Sequence, residues 1–215
     1  MNQFSLGKYK AIIFDLDGTL VDSSESILEV LAIWCEMHQL NIDTVLQASH
    51  GERIVDFLPK VAPNLDFDKE VKNLAKLEAE ITTGLVEIAG AKQFLEQLNE
   101  LNITWAIATA CVKTIAELRL RHCGLLIPEV FITSELVKKG KPDPEPFLLT
   151  ASRLSIDPKG CLVFEDSDAG IQSAIAAGCD VVVVGQSSTI QDSRIVARVN
   201  DYHELVEFTQ LQEAV

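Results

Sequence analysis

The chain has 215 residues, 47% of them hydrophobic, with 32 acidic against 18 basic side chains and a formal net charge of −14. This length suffices for one sizeable core with a smaller module, and the acidic excess argues against a nucleic-acid partner, which would need a basic surface. No apolar run approaches the roughly 20 residues that a membrane-spanning helix needs, so no membrane partner is expected.

The five cysteines are odd in number and widely spaced, and no two of them form a C-x-x-C pair. This spacing favours reduced thiols over a disulfide framework or a zinc site. The first ten residues hold no apolar stretch of signal-peptide length. We therefore expect a cytoplasmic protein, with a monomer as the default state.

Apolar runs alternate with helical patterns along most of the chain. The runs that predict strands lie at 10–14, 103–108, 129–133, 161–165, 180–185 and, more weakly, 195–199. Helical patterns lie at 89–101, 112–123, 144–154 and 168–177. Runs that are apolar at nearly every position are typical of strands buried on both faces of a parallel sheet. The alternation predicts an α/β fold with a doubly wound parallel sheet.

The segment from residue 23 to residue 83 breaks this alternation, because it contains helical patterns but no strand pattern. We predict that residues 1–22 and 84–215 form an α/β core domain and that residues 23–83 form an α-helical cap inserted after the first strand. Small residues and glycines in both connections suit a hinge. A mobile lid that excludes water is favoured over a rigidly docked subdomain.

The first predicted strand runs into the sequence DLDGT, which places Asp15 and Asp17 close together. Two carboxylates at this spacing repel each other unless a cation lies between them. A calcium loop of the EF-hand type fails, because Thr19 and Leu20 stand at its fifth and sixth positions, where an acid or amide and a glycine are needed. From this segment alone, a solvated surface turn and a cation site remain open.

Three later strand ends carry polar groups. Thr109 stands where a predicted strand meets a helix, and could either cap that helix or help to bind an anion. Lys141 lies in a lysine cluster, which alone could be a solvated loop. Glu165 and Asp166 end another apolar strand, where two acids are costly without a metal or a lysine. All these groups fall at carboxyl ends of strands, where open α/β sheets bind ligands.

The order of these motifs resembles the haloacid dehalogenase-like hydrolase superfamily. DLDGT is similar to its first motif, Thr109 to the second, Lys141 to the third and EDSDAG at 165–170 to the fourth, and the helical insertion resembles a C1-type cap. Within the superfamily the chain looks most like the 2-deoxyglucose-6-phosphate, hexitol and glycerol-phosphate phosphatases. The resemblance implies a Mg²⁺-dependent phosphatase that acts on small phosphorylated sugars or polyols.

The resemblance also implies roles for single residues. Asp15 would be the nucleophile that forms an aspartyl-phosphate, and Asp17 would be the acid and then the base. Mg²⁺ would be held by Asp15, the backbone carbonyl of Asp17, and Asp166. Glu165 would either join these ligands or support them. The phosphoryl group would be bound by three further groups: the Thr109 hydroxyl, the Ala110 amide and the Lys141 ammonium.

The segment SHGER at 49–53 is similar to a cap loop of the sugar phosphatases. We therefore predict that His50, Gly51 and Arg53 contact the substrate, although the same residues could simply end one helix and begin the next. Cys111 departs from the usual pattern, in which Gly often stands at this place. Cys111 could simply be a small residue at a helix start, and we hypothesise instead that near a helix N-terminus its thiol is partly ionised and sensitive to oxidants.

Three alternatives to a phosphatase remain: a dehalogenase, an isomerase and a non-catalytic sensor. Dehalogenases of the superfamily lack the second aspartate, so the presence of Asp17 argues against them. Phosphoglucomutase-like isomerases usually carry a His in the first cap helix where this chain has Ile27. A non-catalytic sensor of phosphorylated ligands is disfavoured because all four motifs are present.

Overall fold

The computed structural model describes residues 5–203 and 205. Its strands, in chain order, are β1 (Ala11–Phe14), β2 (Val21–Asp22), β3 (Val86–Glu87), β4 (Trp105–Ala108), β5 (Val130–Ile132), β6 (Cys161–Glu165), β7 (Asp180–Val184) and β8 (Ile195–Val199). Among the described residues a six-stranded sheet has the order β5-β4-β1-β6-β7-β8, and every pairing in it is parallel. The predicted doubly wound α/β fold and its six strands are confirmed.

The helices are α1 (Ser24–His38), α2 (Ile42–Ser49), α3 (Ile54–Val61), α4 (Phe67–Glu80), α5 (Ala91–Glu100), α6 (Lys113–His122), α7 (Glu145–Arg153) and α8 (Asp168–Ala177). Side chains of α5 and α6 pack on one face of the sheet, in a cluster that includes Phe14, Phe94 and Leu120. Side chains of α7 and α8 pack on the other face, with Ile13 and Phe147. Successive residues of β1 thus point to opposite faces, as in any strand.

The order of the strands places β1 at the switch point of the sheet. The chain runs from β1 outward to β4 and β5, then returns across the sheet to β6 on the other side of β1. Connections leave this point in opposite directions, so a crevice opens at the carboxyl ends of the central strands. Asp15 follows β1 directly and therefore lies at that crevice.

Helices α1 to α4 enclose a hydrophobic cluster of their own, formed by side chains such as Leu31, Trp34, Phe57 and Leu74. Inside it the buried carboxylate of Glu70 accepts a hydrogen bond from Trp34 Nε1 at 2.9 Å. The helical pattern expected between residues 23 and 83 is therefore present. The division into a core domain and a mobile cap stays a prediction.

The two connections to this helical insertion pair with each other, which the sequence did not predict. Strand β2 and strand β3 form a separate antiparallel two-stranded sheet, with Val21 opposite Glu87 and Asp22 opposite Val86. Strands of two residues are too short to show any alternation of polar and apolar side chains. No helix in the described part of the chain is long and apolar enough to cross a membrane.

Candidate active site

A cavity of about 1060 Å³ lies between the carboxyl ends of the central strands and the helical insertion. From the sheet side it is lined by Asp15, Asp17, Thr109, Ala110 and Asp166, and from the insertion by His50, Gly51 and Arg53. Lys141 and Glu165 are buried; Lys141 binds the carboxylate of Asp15, and Glu165 binds Lys141. The fold therefore brings together side chains that are up to 151 positions apart in the sequence, as their placement at strand ends predicted.

Lys141 joins two carboxylates at the base of the site. Its Nζ donates to Asp15 Oδ1 at 2.5 Å and to Glu165 Oε1 at 2.6 Å, and all three side chains are buried. Burial alone would lower the pKa of Lys141, but the charges of Asp15 and Glu165 outweigh it and raise that pKa. The lysine is thus held in its charged form beside Asp15, where an incoming phosphoryl group would need a positive charge.

Both carboxylate oxygens of Glu165 accept hydrogen bonds from the protein. While Oε1 accepts from Lys141, Oε2 accepts from the backbone amides of Asp166 and Ser167 at 2.8 Å each and from Ser167 Oγ at 3.1 Å. These bonds use the lone pairs of Oε2 and one of the two lone pairs of Oε1. The contacts therefore favour Glu165 as a group that orients Lys141 and the start of α8 over a direct metal ligand.

Asp15, Glu165 and Asp166 form the acidic cluster of the site. One carboxylate oxygen from each lies within 4.8 Å of the others, and carboxylate oxygens are the ligands that Mg²⁺ prefers in proteins. Burial raises the pKa of Asp15 and of Asp166, so a cation beside them would stabilise their ionised forms. This donor set fits a divalent cation, with Asp15 and Asp166 facing the cavity.

Gly18 makes room for this cluster. It adopts φ +79°, and a Cβ at this position would overlap the carboxylate of Asp166. Any other residue would strain the backbone and displace a predicted metal ligand. The glycine of DLDGT is therefore required twice, once for the turn and once for the close approach of Asp166.

The carboxylates of Asp17 and Asp15 bind different partners. Asp17 Oδ1 accepts from Ser23 Oγ at 2.6 Å, while Oδ2 lies 2.6 Å from Arg119 Nη1 and accepts from Cys111 Sγ at 3.0 Å. Arg119 belongs to α6 and is only 1% exposed. Sequence reasoning missed this residue.

A signal for Arg119 was nevertheless present in the sequence. It stands three and four positions after Ala116 and Ile115, both of which are buried, so it shares the apolar face of α6. A charged side chain on such a face needs an opposite charge nearby, because an unpaired buried charge is very costly. The spacing could therefore have indicated a partner for Arg119, although not which acid it would be.

Thr109 and Ala110 follow β4 at the mouth of the cavity. The Thr109 hydroxyl accepts a hydrogen bond from the Cys111 amide at 3.1 Å, and Thr109 is 4% exposed. Helix α6 begins later, at Lys113, and its N-cap residue Val112 supplies no side-chain hydrogen bond. Thr109 therefore does not cap that helix. Of the two roles expected for it, helix cap and anion-binding group, the first is excluded.

The surroundings of Cys111 oppose the partial ionisation that was expected of its thiol. Burial raises the pKa of its thiol well above the ordinary value, even though Arg119 lies 2.9 Å from the sulfur. The neighbouring carboxylates of Asp17 and Glu78 add to the rise. The raised pKa argues against the predicted partial ionisation of the thiol, whereas its sensitivity to oxidants stays a prediction.

His50 and Gly51 bring the insertion against the sheet. His50 Nε2 lies 3.3 Å from Asp166 Oδ2, and this hydrogen bond raises the pKa of His50. Gly51 has φ +75°, and a Cβ there would overlap the side chain of Ser167. Both residues line the cavity. Their predicted contact with a substrate stays a prediction.

Arg53 is 7% exposed and bonded to the protein on every side. Its guanidinium binds Asp56 through Nε (2.5 Å) and Nη2 (2.8 Å). It also donates to three backbone carbonyls, those of Ser134 (3.3 Å), Val137 (2.9 Å) and Lys138 (3.1 Å). These bonds use all five N–H groups of the side chain. A contact with the substrate, which stays a prediction, would require Arg53 to release one of these partners.

Comparison with known proteins agrees with this arrangement. The family model described as haloacid dehalogenase-like hydrolase matches residues 12–184. Hexitol phosphatase A of Escherichia coli is 39% identical over 178 residues, which cover 81% of this chain and 82% of that protein. Glycerol-1-phosphate phosphohydrolase 2 of Saccharomyces cerevisiae is 37% identical over 191 residues, covering 81% of this chain and 74% of that protein.

Solved structures share the fold. The crystal structure of a hydrolase from Pseudomonas syringae superimposes with a TM-score of 0.78 and 24% sequence identity, covering 95% of this chain and 98% of that one. At this level of identity the likeness concerns the architecture alone.

Proposed function

This chain belongs to the haloacid dehalogenase-like hydrolases, and from that premise we propose that it is a Mg²⁺-dependent phosphatase of small sugar or polyol phosphates. The observation that carries the proposal is the buried Lys141, which binds Asp15 at the floor of a cavity that Thr109 also lines. A nucleophilic carboxylate, a cation and a hydroxyl at one place are the groups that phosphoryl transfer needs. Hexitol phosphatase A and the glycerol-1-phosphate phosphohydrolase support the substrate class by their names.

In the first proposed step a carboxylate oxygen of Asp15 attacks phosphorus. The bond between phosphorus and the sugar oxygen breaks, and that oxygen keeps the electron pair and takes a proton from the carboxyl group of Asp17. The products are an aspartyl-phosphate on Asp15 and the free sugar or polyol. Asp17 is left as a carboxylate.

In the second step the same two residues reverse their parts. A water oxygen attacks the phosphorus of the aspartyl-phosphate and gives its proton to the carboxylate of Asp17. The bond between phosphorus and the Asp15 oxygen breaks, which regenerates the Asp15 carboxylate and releases inorganic phosphate. Both side chains line the cavity, so water and substrate could reach them from the same space.

The remaining site residues would hold the charge that develops on the phosphoryl oxygens. Lys141, the Thr109 hydroxyl and the Ala110 amide would donate to these oxygens. Mg²⁺ would be held by Asp15, the backbone carbonyl of Asp17, and Asp166, and when bound it supplies further neutralisation of the phosphoryl charge. Such local positive groups would let a chain with a net charge of −14 bind an anion.

The sugar or polyol part of the substrate would lie under the insertion, where many of the side chains that line the cavity are apolar. On that side apolar side chains such as Ile27, Leu31, Leu46 and Leu74 line the cavity together with His50. A volume of about 1060 Å³ is large enough for a hexose phosphate, since drug-sized ligands occupy pockets of roughly 300–1,000 Å³. A small carbohydrate with a single phosphate fits such a space.

The proposal is tested by phosphate release from a panel of sugar, polyol and nucleotide phosphates, with and without Mg²⁺. We expect Mg²⁺-dependent release from sugar or polyol phosphates, abolished by Asp15→Asn and retained by Asp43→Asn, a control in the exposed first turn of α2. No Mg²⁺-dependent release from any member would contradict the proposal. Conversion of β-glucose 1-phosphate to glucose 6-phosphate would indicate the isomerase instead. Substrate binding without turnover by the unmodified protein would indicate the sensor.

A further inference from the structure

Arg119 is a buried cation that connects the sheet to the helical insertion. Its Nη1 lies 2.6 Å from Asp17 Oδ2, and its Nη2 donates to Glu78 Oε1 at 3.3 Å. Asp17 follows β1, whereas Glu78 belongs to α4 of the insertion. One guanidinium on α6 is therefore shared by carboxylates from the two parts of the fold.

Asp17 depends on such contacts for its orientation. It lies in the turn after β1, next to a glycine, and a single isolated bridge to Val21 is its strand-like pairing. The side chain is 19% exposed, so packing alone does not fix it. Ser23 holds one carboxylate oxygen and Arg119 the other, which together restrict rotation about both side-chain bonds. A proton donor placed in this way can be aimed at a leaving group.

Glu78 in turn restrains Arg119. Its side chain is 16% exposed and lines the cavity, and burial raises its pKa although Arg119 opposes the rise. A planar guanidinium that binds two carboxylates, one through each of two nitrogens, is fixed both in position and in orientation. The position of α4 thereby contributes to the geometry of Asp17.

We propose that Arg119 is a positioning residue for Asp17, and that Glu78 holds Arg119 in place from the insertion, so that the acid–base group is fully aligned only while α4 lies against α6. The inference rests on the proposed phosphatase function, in which Asp17 protonates the leaving oxygen. It assigns roles to two residues outside the four sequence motifs. A residue that only joined helices would not affect the two leaving groups differently, whereas a positioning residue for Asp17 would.

The test compares two leaving groups. An alkyl phosphate releases an alkoxide that needs a proton from Asp17, whereas p-nitrophenyl phosphate releases a phenolate that leaves without one. We would measure kcat/KM for p-nitrophenyl phosphate and for the best substrate among glycerol 1-phosphate, sorbitol 6-phosphate and 2-deoxyglucose 6-phosphate. Because kcat/KM covers steps only up to formation of the aspartyl-phosphate, the later water step does not enter the comparison.

Since general acids contribute about 10²–10⁴-fold to a rate, we expect Arg119→Ala to lower kcat/KM for the alkyl phosphate by about 100-fold or more. The loss for p-nitrophenyl phosphate is expected to stay below about 10-fold. Arg119→Lys keeps one charged donor and should recover part of the alkyl-phosphate activity. Glu78→Gln should show the same preference for the good leaving group, with a loss of a few-fold.

Arg121→Ala is the matched control, because Arg121 lies on the same helix, is 69% exposed and pairs only with Glu117 among the described residues. Equal fold-losses on both substrates, or no loss in any variant, would overturn the inference while leaving the phosphatase assignment intact. Phosphate release from neither substrate by the unmodified enzyme would overturn the proposed function itself. If Arg119→Ala does not fold, as judged by circular dichroism, the same comparison with Arg119→Lys and Glu78→Gln decides the matter.

Discussion

Asp15 and Asp17 stand two positions apart, yet their carboxylates are bound to cations that approach from different sides of the sheet. Lys141, in the segment before α7, lies 2.5 Å from Asp15, and Arg119 on α6 lies 2.6 Å from Asp17. Helices α6 and α7 cover opposite faces. The two acids therefore do not share one cationic partner, and each carboxylate can be oriented independently of the other.

The close approach of Gly18 to Asp166 predicts a severe effect of Gly18→Ala. The substitution would strain a backbone at φ +79° and push the Asp166 carboxylate away from the acidic cluster. We expect at least a tenfold loss of kcat and a higher Mg²⁺ concentration for half-maximal activity. Gly185→Ala is the control, because Gly185 has φ +72° but open space around the position of a Cβ. Similar activity losses in both variants would show that backbone strain alone is responsible.

The five hydrogen bonds of Arg53 predict that it stabilises the fold. Arg53→Ala would remove the partner of Asp56 and of three backbone carbonyls in the segment 134–138. Buried polar groups left without partners cost about 1–3 kcal/mol, so we expect the free energy of unfolding to fall by about 2 kcal/mol or more. Urea denaturation measures this change. Lys60→Ala removes an exposed ion pair with Glu52 and should cost less than about 1 kcal/mol. An equal effect of the two substitutions would contradict the prediction.

Glu70 predicts how stability depends on pH. Burial would raise its pKa, but hydrogen bonds from Trp34, Asn73 and His38 outweigh burial and lower the pKa below the ordinary value of 4.5. A group whose pKa is lower in the folded state stabilises the fold above its unfolded pKa, and this contribution is lost as the pH falls through the folded value. The free energy of unfolding should therefore decrease between about pH 5 and pH 3. Glu70→Gln should flatten that slope, and Glu80→Gln, at an exposed position on the same helix, is the matched control.

The surroundings of Tyr202 predict that replacing it by Phe will stabilise the fold. Its hydroxyl is buried without a hydrogen-bond partner in the described part of the chain, while its ring packs on Phe164. Tyr202→Phe removes this unsatisfied group and keeps the ring, so the free energy of unfolding should rise by about 1 kcal/mol. Tyr9→Phe is the opposite case, because Tyr9 donates to Asp180 at 2.8 Å, and should lower stability. A loss of stability in Tyr202→Phe would show that the hydroxyl has a partner.

The sequence predicted the parts of this fold that depend on local pattern. Strand β1 is apolar throughout, strand β6 is apolar up to its last residue Glu165, and both are buried at every position, so their place inside a parallel sheet was readable without a structure. The meeting of Asp15 and Asp166 followed from one topological rule, since each directly follows the carboxyl end of a strand, and Lys141 lies in the loop after another strand of the same sheet. Helix patterns between residues 23 and 83 were likewise visible from their spacing.

Contacts between distant residues could not be predicted in the same way. Arg119 needed a buried acid, but only the fold brings Asp17 and Glu78 to it. Cys111 is a similar case, because only the fold shows that its thiol is buried, and this burial raises the pKa that a position near a helix start was expected to lower. Strands β2 and β3 are defined by their pairing across the insertion and by nothing in their own two residues each.

The pairing of β2 with β3 has a mechanical consequence. Asp22 and Val86 face each other in this pairing, so the two connections to the insertion form one two-stranded unit instead of two separate segments. We call this unit, β2 with β3, the stem. The stem begins at Val21, whose carbonyl accepts a hydrogen bond from the Gly18 amide at 2.8 Å and which forms a bridge with Asp17. The four helices are therefore connected directly to the turn that carries Asp17, and we predict that any tilt of these helices would move the backbone of this proposed acid–base residue.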